Sequence, residues 1–196
     1  KQTGLATKDI TRKKSVVTKL VEGPYAYGSF AYSKPGKGKK AVYVYTRGCF
    51  EDGSNLFMTA DNFKTQKQIS DINPQQKNYN WGTVELVNWQ TADDIFCEGL
   101  LFKPEDFDAD KKYPVMIYFY EKNSETLYNP RNPAPSRSTV NIPYYVSNGY
   151  VVFVPDIYYK DGHPGQSAMR SIMPGVEMLE KTYPWIDGKN MAIQGQ

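Results

Sequence analysis

Two rhythms of hydrophobic and polar positions divide the chain. From Val16 to about Ser70, short β-branched and aromatic stretches alternate with turn residues. Ser29-Phe30-Ala31-Tyr32 leads into Lys34-Pro35-Gly36-Lys37-Gly38-Lys39-Lys40, and Ala41-Val42-Tyr43-Val44-Tyr45-Thr46 follows. Glu51-Asp52-Gly53-Ser54-Asn55 is turn chemistry, and Leu56-Phe57-Met58-Thr59 is a further strand. Strands at this spacing, with no long amphipathic helix between them, predict a β-meander such as one or two propeller blades. A lone blade cannot bury both of its faces and needs neighbours.

The composition turns polar around Ile72-Asn73-Pro74-Gln75-Gln76-Lys77-Asn78, which places a boundary near residues 72–82 and divides the chain into 1–76 and 77–196. Beyond it, Val84–Trp89 and Phe96–Phe102 read as a hairpin turning at Thr91-Ala92-Asp93-Asp94. Pro114–Tyr120 and Tyr150–Pro155 are nearly continuous apolar runs, the signature of parallel strands buried on both faces. Between Ser167 and Lys181 the residues Met169, Ile172, Met173, Val176, Met178 and Leu179 recur at helical spacing, with Pro174-Gly175 expected to break or kink the helix. Asp187-Gly188-Lys189-Asn190 is a turn, and Met191-Ala192-Ile193-Gln194 begins a last strand. Two antiparallel strands followed by strand, strand, helix and strand open an α/β domain, and α/β is the predicted class.

Composition narrows this further. Among 196 residues there are 16 Tyr, 9 Phe and 3 Trp, ample for a packed core and far from a disordered composition. No run of about 18 apolar residues exists, so no membrane span is expected. The first residues lack a basic stretch followed by an apolar one, so a signal peptide is expected to be absent or already removed. The net charge of +3 hides an asymmetry, with +8 in residues 1–40 against −5 in the rest. Those basic residues are scattered over strands and turns rather than along one helix. That pattern suits soluble hairpin tips and edges, and no nucleic-acid partner is expected.

Cys49 and Cys97 have no CxxC spacing and no histidine neighbour, which argues against zinc. Two buried thiols, or one disulfide in an oxidising compartment, both fit. Asp106-Phe107-Asp108-Ala109-Asp110 copies the first half of a calcium loop, but Lys111 stands where that loop needs glycine and Ile117 where it needs glutamate. A surface turn is the expected reading, and no metal or cofactor is assigned.

The sequence closes on Ala192-Ile193-Gln194-Gly195-Gln196, a strand followed by Gly-x. A nucleophile elbow begins in this way, because side chains flanking its serine would collide with neighbouring strands. An ordinary strand-ending glycine has the same look. Further stretches, taken in order, narrow the choice. They are Gln68–Gln75 leading to Trp81-Gly82-Thr83-Val84-Glu85; Glu98-Gly99-Leu100-Leu101-Phe102-Lys103-Pro104; Lys112–Tyr118; Asn148-Gly149-Tyr150-Val151-Val152; and Ile186-Asp187 through Gln196.

With these stretches, the chain from about Lys64 onward resembles the prolyl oligopeptidase family of serine peptidases, particularly its dipeptidyl-peptidase and acylaminoacyl-peptidase-like branches. The resemblance implies the N-terminal half of an α/β-hydrolase domain preceded by the β-strand end of a β-propeller, with the nucleophilic serine as the residue after Gln196. It also implies that Tyr120, expected to end the third hydrolase strand, lends its hydroxyl to the oxyanion hole. The chain departs from the family at Glu121-Lys122-Asn123, where small residues are common. It departs again at Asp161-Gly162-His163-Pro164-Gly165, which replaces an Arg-Gly loop. His163 precedes the nucleophile position, whereas the order in α/β-hydrolases is Ser, acid, His, so it is not assigned as the base.

The function so implied is that of a serine peptidase acting on short peptides through an acyl-enzyme, of which this chain alone is inactive. A carboxylesterase of the same fold and a non-catalytic binding module are the alternatives. A severed sheet would expose core side chains at roughly 1.5–3 kcal/mol each. The expected partner is therefore the rest of the catalytic domain or a second copy of the chain, besides a peptide substrate.

Overall fold

The computed structural model describes residues 1–38 and 40–194. It contains two compact units: Lys1–Pro74 with Tyr128–Pro130, and Gln75–Leu127 with Arg131–Gln196.

Among the described residues the first unit is built from β-strands. Strands β1 (Thr3–Thr7) and β2 (Thr18–Gly23) form an antiparallel pair. Strands β3 (Ala26–Tyr32), β4 (Tyr43–Cys49), β5 (Gly53–Thr59) and the two-residue β6 (Lys67–Gln68) follow one another in sheet order, an antiparallel meander. Strand β1 is a finding that the sequence pattern did not anticipate, since Thr-Gly-Leu-Ala-Thr carries one large apolar residue. Alternation along β4 and β5 turns Tyr45 and Phe57 inward, where they meet Phe63, with Tyr27 and Tyr43 packed alongside. Arg47 lies 3.7 Å from the Phe57 ring centroid, a cation–π contact, and its Nη1 donates to Gln66 Oε1 at 3.2 Å. The Tyr45 hydroxyl donates to the same oxygen at 2.7 Å, and burial pushes this phenol up to about 12.

Phe63 reaches that core from a left-handed backbone, φ 65° beside Asn62 at φ 57°, a conformation costly for a side chain of its size. Asp61 offsets the cost by accepting Thr65 N–H at 3.0 Å and the Thr65 hydroxyl at 2.7 Å, while Phe63 N–H donates to Thr59 Oγ1 at 3.1 Å. The two Thr65 bonds hold the Asp61 carboxyl down at about 2. Its contribution to the turn is present above the ordinary carboxylate range and is lost as pH falls toward 2.

The second unit is built on the long apolar runs. Its strands are β7 (Thr83–Gln90), β8 (Phe96–Lys103), β9 (Tyr113–Tyr118), β10 (Val151–Pro155) and β11 (Ile186–Gln194). They lie in the order β11-β9-β10-β8-β7. The β7–β8 hairpin is antiparallel, β8 runs antiparallel to β10, and β9, β10 and β11 are mutually parallel. Helix α1 (Ile142–Ser147) connects β9 to β10, and helix α2 (Pro164–Thr182) connects β10 to β11. The two crossovers travel in opposite directions along the sheet, so right-handed connections set the helices on opposite faces.

On the α2 face, Trp89, Leu101, Ile117, Val151 and Phe153 form one core with Ile172 and Leu179 of the helix. Gly175 lets the helix approach, because a Cβ there would lie 2.9 Å from Trp89 and 3.1 Å from Phe153. The Trp89 indole N–H donates to Ser171 O at 2.9 Å, and Arg170 reaches Asp93 in the hairpin turn at 2.9 Å.

Three sequence expectations are corrected. Asp187–Asn190, expected as a turn, lies inside β11, where the register with β9 shifts between Ile186 and Met191. Helix α2 runs through Pro174 without a break and starts earlier than the apolar spacing marks, because Pro164 occupies its first turn, where the missing N–H costs nothing. Strand β9 ends at Tyr118, two residues short of the expected Tyr120. Helix α1, too short for a periodic signal, is an addition. Among the described residues no helix is long and apolar enough to cross a membrane.

Gly82, just before β7, has φ +95°, and a Cβ there would lie 2.3 Å from Lys103 O and 2.4 Å from Val146 Cγ1. Both backbone strain and overpacking oppose a side chain. Gly82→Ala is expected to cost about 2–4 kcal/mol, read as a lowered urea midpoint. Cys49 and Cys97 are both free thiols. Burial pushes Cys49 up to about 11 and raises Cys97. At pH 8 both thiols are expected to react slowly with Ellman's reagent until denaturant is added, whereupon both react; a single reactive or absent thiol would contradict this state.

Candidate active site at the carboxyl ends of the parallel strands

Strands β9, β10 and β11 all end at one edge of the sheet. Ile117 pairs with Phe153 on one side and Ile193 on the other, and Gln194 stands opposite Tyr118. A crevice outside the carboxyl ends of such strands, where connections diverge, is where open α/β sheets bind ligands. The residues following β9 and β10 meet here, and β11 delivers the chain to the same edge. Gly195 and Gln196, the start of the elbow expected from the sequence, lie outside the described residues.

Tyr120 lies two residues beyond β9 and is 66% exposed. Its carbonyl accepts a hydrogen bond from the Tyr159 hydroxyl at 2.8 Å. The next residue, Glu121, accepts Ile157 N–H at 2.9 Å. Asp156 Oδ1 then accepts two successive amides, Asn123 N–H at 2.6 Å and Ser124 N–H at 2.9 Å. A 3-10 turn over Ser124–Thr126 closes the segment, with Thr126 N–H donating to Asn123 O at 2.8 Å. The segment after β9 is thus laced to the segment after β10 along its length.

Charge and burial shape the surroundings. Asp156 is buried and its own N–H donates to Glu98 O at 2.9 Å. The Ser124 hydroxyl lies 3.4 Å from Glu98 Oε2. Burial, and then the negative charge of Asp156, raise the Tyr158 phenol. Lys122 Nζ stands 4.6 Å from the Tyr158 ring centroid.

Asp156, Tyr159 and Ile157 were not singled out from the sequence. A signal was present: a lone carboxylate directly after Val-Val-Phe-Val-Pro, a strand buried on both faces, sits where the sheet edge opens. Nothing in local spacing reveals its partners, which are over thirty positions away in the chain.

The other residues considered from sequence lie elsewhere. His163 is exposed ahead of α2, and its carbonyl accepts Ser167 N–H at 3.0 Å and Ser167 Oγ–H at 2.7 Å. With Lys160, Gln166, Ser167 and Arg170 it lines an open depression of about 200 Å³. The carboxylates of the calcium-like stretch serve turns: Asp106 accepts Asn80 Nδ2–H at 2.7 Å, and Asp108 accepts Asp110 N–H at 3.0 Å while pairing with Lys111.

No protein-family model matches the sequence, and no curated protein matches it. Solved structures do. An acylaminoacyl peptidase from Pyrococcus horikoshii superposes with TM-score 0.63 at 15% identity, over 90% of this chain and 28% of that one. A post-proline cleaving enzyme from Rickettsia typhi gives 0.58 at 17% identity, over 96% and 27%. Dipeptidyl peptidase 4 from Porphyromonas gingivalis gives 0.56 at 17% identity, over 92% and 26%. The chain therefore spans between a quarter and three tenths of the length of these structures. They are peptidases of the prolyl oligopeptidase family, and it is their fold that this chain shares.

Proposed function

We propose that the chain forms the N-terminal part of the catalytic domain of a serine peptidase, together with the β-strands of a propeller that precede it. The observation that carries this reading is the convergence of β9, β10 and β11 on one edge, where Tyr118, two residues before Tyr120, pairs with Gln194 of the strand that would lead to a nucleophile. The likeness to peptidase folds supports it. In this reading a serine after Gln196 attacks the scissile carbonyl and a histidine further on takes its proton. The oxyanion is held by a backbone amide and the Tyr120 hydroxyl. In this reading the triad is completed by residues outside this chain, and the 196-residue chain alone is expected to turn over no substrate.

A fluorophosphonate probe tests this directly. The full-length polypeptide that carries the chain is expected to be labelled at the serine immediately downstream, and the 196-residue chain is expected to remain unlabelled. Labelling of the short chain, or an unreactive downstream residue, overturns the reading. Faster turnover of dipeptidyl anilides than of acetyl esters is expected and separates a peptidase from a carboxylesterase.

The partner follows from the sheet edge. Strand β11 is the outer strand of its sheet among the described residues, and Ile193 on it is 63% exposed. The remainder of the catalytic domain, or a second copy of the chain, covers this edge. By size-exclusion chromatography the isolated chain is expected to associate or to lack a sharp thermal transition. A well-folded monomer with a cooperative melt would contradict it.

A further inference from the structure

Resting on the hydrolase reading, we propose that Asp156 is a positioning residue that holds the Tyr120 loop in place from behind. Tyr120 itself is mostly exposed and gains little from side-chain packing, so its location depends on the backbone to either side. On one side is β9. On the other, Asp156 Oδ1 takes the amides of Asn123 and Ser124 at 2.6 and 2.9 Å. Between these anchors, Tyr159 and Ile157 bind the carbonyls of Tyr120 and Glu121. Each tie originates in residues 156–159, which follow a strand buried along its whole length.

The acceptor at this position is a single side-chain oxygen that meets two backbone donors. A single carboxylate oxygen can accept two successive amides, and bonds to an ionised acceptor are about twice as strong as neutral ones. The carboxylate is 1% exposed, and a charge so buried is tolerated only while its donors stay aligned. Loop order and carboxylate burial therefore stabilise each other. Asp156 is buried and its Oδ1 is taken up by the Asn123 and Ser124 amides, so it acts through the loop that carries Tyr120.

The test uses the full-length polypeptide and two readouts. By hydrogen exchange, Asp156→Ala is expected to speed exchange of residues 119–126 about tenfold or more while β8 and β9 stay protected. Asp156→Asn keeps one acceptor oxygen and is expected to fall between, which also serves if the alanine variant does not fold. Unchanged protection of 119–126 in both variants overturns the proposal. By kinetics, Asp156→Asn is expected to lower kcat about tenfold with KM within about twofold, and to change kcat less than about twofold when Tyr120 is already Phe. Equal losses in the two backgrounds overturn action through Tyr120. If the wild-type polypeptide hydrolyses neither anilides nor esters, the peptidase reading fails by itself, and the exchange comparison decides whether Asp156 holds the loop.

Discussion

Phe153→Ala is expected to destabilise the second unit by about 3–5 kcal/mol, the usual cost of emptying a large aromatic site that cannot collapse. Phe153 is fully buried at the middle of β10, with Leu101 beside it on one strand and Ile117 on the other. Its ring meets Trp89 edge-on at 5.5 Å between centroids. The backbone also closes around it: added Cβ atoms at Gly99 and Gly175 would both lie 3.1 Å from its ring. Backbone atoms at those two glycines cannot move in to refill the space without distorting a strand and a helix. In the full-length polypeptide, with an m-value near 2 kcal/mol/M, the urea midpoint of this unit should fall by about 2 M, followed by hydrogen exchange of the β8, β9 and β10 amides. Ile10→Ala, at a position of the first unit that is 91% exposed, provides the contrast, with a loss under about 1 kcal/mol expected. A midpoint shift below about 0.5 M for Phe153→Ala would mean that the centre of the sheet is not where the paired strands put it.

The same residues explain what was legible beforehand. Val151–Pro155 and Val115–Tyr118 are apolar on successive positions because helices cover both faces of the sheet, and that produces a run no surface strand shows. The hairpin of β7 and β8 announces itself through Thr91-Ala92-Asp93-Asp94, where Asp94 adopts φ 62° and the Thr91 hydroxyl donates to Asp93 at 2.7 Å. Strand order was not legible, because β10 inserts between β8 and β9 through contacts that no local pattern encodes. Helix α1 left only short marks, namely Asn141 accepting Tyr144 N–H at 3.4 Å and Pro143 in the first turn, over six residues that cannot establish a period. Pro174 does not end the helix, for a different reason. Packing of α2 over Trp89 and Phe153 outweighs the loss of one helical hydrogen bond, so tertiary contacts override the local signal.

The site divides along the same line. Tyr120 was reached through a resemblance carried by flanking stretches, and its position two residues past β9 makes the exposed loop, rather than the strand, the element that aims it. Asp156 leaves one mark, a carboxylate directly after a buried strand, but its bonds and those of Tyr159 join two loops and are visible only in three dimensions.

Tyr120→Phe in the full-length polypeptide is expected to lower kcat by about 10²–10³, the range for losing one oxyanion donor. The substitution removes a single oxygen from an exposed ring, so stability should change by less than about 0.5 kcal/mol. KM should move little, because the hydroxyl bonds the substrate carbonyl weakly until negative charge develops on its oxygen. Loss confined to kcat is therefore the signature that separates a donor to the transition state from a residue that merely shapes the crevice. Tyr159→Phe removes the donor to the Tyr120 carbonyl and leaves the Tyr120 hydroxyl in place. Its expected effect is a smaller fall in kcat, about two- to fivefold, in proportion to one neutral hydrogen bond that orients the loop. A fall of less than about threefold for Tyr120→Phe would remove Tyr120 from the oxyanion site. A large rise in KM with kcat intact would instead make it a substrate contact, used equally in the ground state and in the transition state.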